Sequence, residues 1–147
     1  MIGQLSAILE STPSRLLAIP EDQAAHKPGP GRWSKKEILG HLIDSAGNNH
    51  QRFVRAQLVP RLDYPEYDQN LWVDAQSYAT EPWTDLVNLW VALNRHILHL
   101  LKAMPESALP HEVAIGGKPP IALVAVIEGY LHHLNHHLSQ ILEPRPA

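Results

Sequence analysis

Ten histidines occur among the 147 residues, and six of them lie within four positions of another: His96, His99, His132, His133, His136 and His137. Neutral imidazole ligates divalent cations and moves protons near neutral pH. The run Tyr130-Leu131-His132-His133-Leu134-Asn135-His136-His137-Leu138-Ser139-Gln140-Ile141 holds two histidine pairs at i,i+4 spacing, His132 with His136 and His133 with His137. On a helix a four-residue step returns to the same face, so either pair could chelate one ion. The chain has no cysteine. That excludes disulfides, cysteine nucleophiles, iron–sulfur clusters and thiolate-bound zinc.

Helical projection separates the two pairs. With His133 at zero and about 100° per residue, Val126, Tyr130 and His137 fall within about 60°, and Leu123, Leu134 and Ile141 within about 100°. His132 and His136 fall among Glu128, Asn135, Ser139 and Glu143. His133 and His137 therefore belong at the edge of a buried face, and His132 and His136 on the polar face. Gln140 projects beside the inner pair, as a group to orient a ligand or a nucleophile. A third candidate comes from an earlier segment, where His41, Ser45, Asn48 and Arg52 form one narrow stripe flanked by Ile38, Leu42 and Phe53. Such a stripe is expensive to bury unless its polar groups find partners. A cavity holding a metal and water would supply them, with Asn48 and Arg52 as candidates to position an anionic group. Three imidazoles leave coordination positions open on zinc or a similar ion, as catalysis requires. Taken singly, the same residues have plainer readings: His133 and His137 as core-edge histidines, His41 as a structural one, Arg52 as a snorkelling surface group. His96 and His99 fall outside the apolar face of their segment, and His26, His50 and His111 have no supporting pattern.

The elements that must position these groups are helical. Residues 2–19 carry Leu5, Ile8, Leu9, Leu16, Leu17 and Ile19, as one kinked helix or as two short ones with Thr12 and Pro13 opening the second. Pro20 to Gly31 reads as a loop. At Trp33-Ser34-Lys35-Lys36-Glu37-Ile38, Ser34 and Glu37 fit a capping box and Trp33 and Ile38 a hydrophobic staple, so the second helix starts there and runs to about Leu58. Val59 to Ala79 is too long for a tight turn and suits a crossover. The third helix opens at Thr80-Glu81-Pro82 and carries Trp83, Leu86, Val87, Trp90, Leu93, Ile97, Leu101 and Met104 at helical spacing. Pro105 to Pro120 reads as a loop with a turn at Gly116-Gly117, and the fourth helix runs from about Pro120 to Leu142, with Pro144 as its stop. No alternating run reads as a strand. The expectation is one all-α domain over residues 1–147, an antiparallel four-helix bundle with a long crossover between its second and third helices.

Composition agrees. The chain is 44% hydrophobic and 18% charged, enough apolar material for a core. Its formal net charge of −3 gives no basic surface for tracking phosphates, so nucleic acid is not expected as a partner. The start, Met1-Ile2-Gly3-Gln4-Leu5, lacks a basic segment followed by an apolar one, and the longest apolar run, Ile121 to Ile127, is too short to span a bilayer. A cytoplasmic protein without a membrane partner is the expectation.

Four segments carry a family resemblance: Trp33-Ser34-Lys35-Lys36-Glu37-Ile38-Leu39-Gly40-His41-Leu42-Ile43-Asp44-Ser45, Arg52-Phe53, Tyr67-Asp68-Gln69-Asn70-Leu71-Trp72, and His133-Leu134-Asn135-His136-His137-Leu138-Ser139-Gln140-Ile141. In order and spacing they resemble the DinB/YfiT-like superfamily. The resemblance implies a four-helix bundle with a long crossover between helices two and three. It also implies a divalent metal, often zinc or nickel, on three histidines that match His41, His133 and His137. It further implies metal-dependent hydrolases, S-transferases that use low-molecular-weight thiols such as bacillithiol or mycothiol, or a thiol-dependent isomerase, commonly as homodimers. The leading expectation is thus an enzyme in which a three-histidine ion activates water or a bound thiol against a small electrophile. The alternatives are a non-catalytic metal or small-ligand binding module and a purely structural bundle.

Overall fold

The computed structural model describes residues 1–143. Pro144, read above as the stop of the last helix, lies outside the described residues. Four long helices make the bundle: α1 (Ile2–Leu17), α3 (Lys35–Leu58), α5 (Trp83–Ala103) and α6 (Leu123–Leu142). Two short ones, α2 (Glu21–Ala25) and α4 (Gln69–Gln76), sit in the connections. α1 continues through Pro13 without a break, so the first segment is one helix. The stretch read as a loop from Pro20 to Gly31 contains α2.

α3 begins as its sequence dictates. The Ser34 hydroxyl accepts from the Glu37 amide at 3.3 Å, and the Glu37 carboxylate accepts from the Ser34 amide at 2.8 Å. This box satisfies two of the four amides a helix start leaves open. α3 packs on α5 and α6, and α1 packs on the same two helices. One apolar core runs through them, with Trp90, Phe53, Leu39, Leu86 and Leu131 among its buried members.

The reading that no segment is a strand is corrected. A small three-stranded sheet caps one end of the bundle: β1 (Arg61–Tyr64), β2 (Glu112–Ile115) and β3 (Ile121–Ala122). β1 pairs parallel with β2, Arg61 opposite Glu112 and Tyr64 opposite Ile115, and β2 pairs antiparallel with β3. The strands are only four, four and two residues long. Alternation over so few positions carries no periodicity to detect. The Gly116-Gly117 turn between β2 and β3 has φ of 61° and 73°, a left-handed pair that glycine takes without a Cβ clash.

The crossover from Val59 to Pro82 holds β1, α4 and a 3-10 turn at Tyr78–Thr80. It is clamped to α3 at Gly40, where a Cβ would stand 2.1 Å from the Tyr78 ring. Past that contact, the Tyr78 hydroxyl donates to the buried Asp44 carboxylate at 2.7 Å, and the Gln76 amide donates to the same oxygen at 2.7 Å. No helix among the described residues is long and apolar enough to cross a membrane.

Candidate metal centre

α3 is enclosed on every side from Lys36 to Ala46. His41, in its second turn, is 2% exposed. α6 crosses beside it and brings His133 and His137, one turn apart and half-buried, to the same point. The ring of His41 lies 4.8 Å from that of His133 and 4.9 Å from that of His137, and the latter two are 4.5 Å apart. One nitrogen from each of the three lies within 4.8 Å of the others. Trp33 covers the outer side of His41 at 5.1 Å between centroids. Three imidazoles from two helices thus converge, each on an edge-on approach to its neighbours. His132 and His136 are exposed on the polar face of α6.

The hydrogen bonds around the cluster fix which nitrogen points inward. Nδ1 of His137 donates to Oε1 of Gln140 at 2.9 Å, which leaves its Nε2 unprotonated. The other end of that amide donates to Nε2 of His136 at 3.0 Å. Ser45 Oγ stands 3.4 Å from Nδ1 of His133. Nε2 of His41 and Nε2 of His133 meet at 2.9 Å. Two bare lone pairs repel at that separation, and a shared proton or cation relieves them. Nδ1 of His41 is buried without a hydrogen-bond partner.

Burial also sets the charge state. It pulls His41 down to about 3, with the neighbouring His133 and His137 adding to the effect. His133 is pulled down to about 4, first by burial and then by His137, His136 and His132. His137 is lowered by burial against the opposing hydrogen bond from Gln140. All three are therefore neutral at pH 7, the form that offers a lone pair. Three converging neutral imidazoles without thiolate or carboxylate form a donor set that fits zinc, nickel, copper or iron(II).

Two of the three histidines, His41 and His133, line a cavity of about 580 Å³, and His137 stands behind them. Its walls come from α3 (Ser45, Asn49, Arg52), from the crossover (Glu66 to Asn70), from Ile115 and Ile121 of the sheet, and from α6 (Val126, Tyr130). The volume is in the range of small-molecule sites, roughly 300–1,000 Å³.

A sequence profile of the DinB superfamily matches residues 4–141. The chain belongs to the DinB superfamily. A protein from Oceanobacillus iheyensis, provisionally named a metal-dependent hydrolase, is 24% identical over 116 residues. That match covers 76% of this chain and 64% of the relative, so the chain spans less than two thirds of the protein it matches. The structure of YfiT from Bacillus subtilis superposes with a TM-score of 0.78 at 21% identity, over 95% of this chain and 83% of that one. YfiT is described, also provisionally, as a metal-dependent hydrolase with an unusual four-helix bundle topology. The likeness shows the four-helix bundle fold for this chain.

Of the groups singled out around the three histidines, Gln140 reaches His137, and Arg52 lines the cavity, buried at 9% exposure. Asn48 is buried too, but its amide donates to the Asp44 carbonyl and its oxygen accepts from Tyr64, away from the cavity. Asn49 lines the cavity instead. It projects about 80° from His41, on the apolar flank with Ile38 and Leu42. A polar residue on that flank was the available signal. Asp44 is neither solvated nor in the cavity wall, since it anchors Tyr78 and Gln76. Trp72 packs against Tyr67 with the rings tilted and their centroids 4.8 Å apart, and it is Tyr67 that lines the cavity. His96 and His99 are exposed, as expected, and His111 bonds the Ala56 carbonyl at 2.7 Å, tying β2 to the end of α3.

Proposed function

We propose that His41, His133 and His137 hold a divalent metal ion, zinc or nickel, and that the adjoining cavity is the active site of a metal-dependent hydrolase. The observation that carries this reading is the meeting of three neutral imidazoles, two of which, His41 and His133, line an open, ligand-sized cavity. A bound ion would supply Lewis acidity, polarising a substrate carbonyl or acidifying a water or a low-molecular-weight thiol at neutral pH. The chain's own part is positional. Gln140 holds His137 with Nε2 directed into the site, and Ser45 stands against the far side of His133. Such outer partners fix ring orientation and raise ligand basicity. Trp33 and the enclosed stretch of α3 keep bulk water from the rear of His41. With no cysteine in the chain, a sulfur nucleophile has to enter as a bound thiol. The names of the Oceanobacillus and Bacillus proteins favour the hydrolase over the thiol S-transferase.

The test is a panel of small esters and amides, run with and without an added thiol, on metal-loaded and chelator-treated protein. The reading predicts turnover that chelation abolishes and reloading restores. Stoichiometric metal without turnover of any panel member would move the protein to a metal-binding module.

A further inference from the structure

The buried cation in the cavity wall, Arg52, forms no ion pair among the described residues. The side chain of Arg52 is inside the protein, yet among the described residues no carboxylate lies in ion-pair range of it. Its Nε is buried without a hydrogen bond. Its hydrogen bond from Nη1 to Asn49 Oδ1 is long at 3.4 Å. Its guanidinium lies 5.0 Å from the centre of the Tyr64 ring. Burying a charge is costly unless it is paired and hydrogen-bonded, and one cation–π contact offsets only part of that cost. The two acids in the same cavity wall are engaged elsewhere. Glu66 is held by Lys118 at 2.6 Å, and Asp68 caps α4 by accepting from the amides of Asn70 and Leu71.

We propose that Arg52 is the anchor for a carboxylate on the molecule that occupies the cavity, so that the substrate is an elongated carboxylic acid with its reacting bond at the histidines. This rests on reading the cavity as the substrate site. A guanidinium presents parallel N–H donors that match a carboxylate. Glu66 acts on the guanidinium only from a distance, so one positive charge without a contact partner calls for one negative charge. The second charge of a phosphate would face Glu66 and Asp68 across the same space, so the carboxylate is the better match. Arg52 follows His41 by eleven residues on α3, about 16 Å along the axis. Its side chain leans back toward the helix start and shortens the gap. A molecule of the size of an acylated amino acid or short peptide spans what remains. A chain of polar contacts runs the same way: Arg52 to Asn49, Asn49 Nδ2 to Ser45 Oγ at 3.4 Å, and Ser45 to His133 at 3.4 Å. All three are long, and an occupant that draws in the guanidinium would shorten them.

The test uses chelator-treated protein at low ionic strength and pH 7, so that no metal binds the probe. N-acetylglycine, its neutral amide N-acetylglycinamide and inorganic phosphate are titrated while the Arg52 Nε–H resonance is followed, assigned by its loss in Arg52→Met. The inference predicts a saturable shift with the acid, and at least tenfold weaker binding of the amide and of phosphate. It also predicts that Arg52→Met loses acid binding, read by titration calorimetry on both proteins because the reporting resonance is gone from the variant, while its melting temperature holds or rises as an unpaired buried charge is removed. Equal binding of acid and amide, no response to the acid, or acid binding that survives in Arg52→Met would overturn it. Tighter binding of phosphate would overturn the carboxylate assignment. Metal binding by the histidines is measured separately, so failure of the anion anchor and failure of the metal reading are distinct results.

Discussion

Oε1 of Gln140 accepts a hydrogen bond from Nδ1 of His137 at 2.9 Å, while the other end of the same amide donates to His136. A single side chain one turn outside the cluster thus selects the tautomer of a proposed ligand. Gln140→Ala leaves that ring free to turn. The expected result is metal affinity lower by about 10- to 100-fold with little change in melting temperature, read by competition with a chromophoric chelator. Unchanged affinity would remove Gln140 from any role at the centre.

The clamp between Gly40 and Tyr78 gives a second prediction, on stability. A Cβ at Gly40 would overlap the Tyr78 ring and force it away from Asp44. Gly40→Ala should destabilise the protein by about 1–3 kcal/mol in urea titration, the usual range for overpacking. Gly47, in the same helix with nothing within 4 Å, is the control. There the alanine should be neutral or stabilising, by up to ~1 kcal/mol. Opposite signs at two glycines of one helix would isolate the contact from helix propensity.

The buried imidazoles predict a pH dependence. His41 and His133 titrate near 3 and 4 in the folded chain and near 6.5 when unfolded. Between those values the unfolded state binds more protons, so stability rises with pH and falls on acidification. His50 and His137 are lowered too and act in the same sense. Glu21 and Glu37 are lowered and act in the same sense, whereas burial raises Asp44, which acts in the opposite one. Metal-free protein should therefore show a lower urea midpoint at pH 5 than at pH 7.5, and His41→Gln should flatten the difference. Equal midpoints for the metal-free wild type at the two pH values would contradict the neutral, buried state of these rings.

Much of this arrangement is local and was legible in the sequence. The capping box at Ser34 and Glu37 places the start of α3, and thereby fixes the face on which His41 lies. The i,i+4 spacing with helical projection separates His133 and His137 from His132 and His136, because the apolar residues of α6 define its inner side without reference to any other element. What was not legible depends on distant segments meeting. The sheet joins residues 61–64 to residues 112–115, and strands of four residues carry no pattern of their own. The choice between Asn48 and Asn49 turns on which flank of α3 faces the cavity, and helix packing decides that. The contact between Gly40 and Tyr78 spans the whole crossover and leaves only a glycine as its trace.

The most direct test of the central claim is metal content, measured on protein purified without a histidine tag and dialysed against zinc or nickel. The account predicts one ion per chain, lost in His41→Ala, His133→Ala and His137→Ala and kept in His132→Ala and His136→Ala. A triple variant of the three inner histidines that still holds one ion per chain would contradict it.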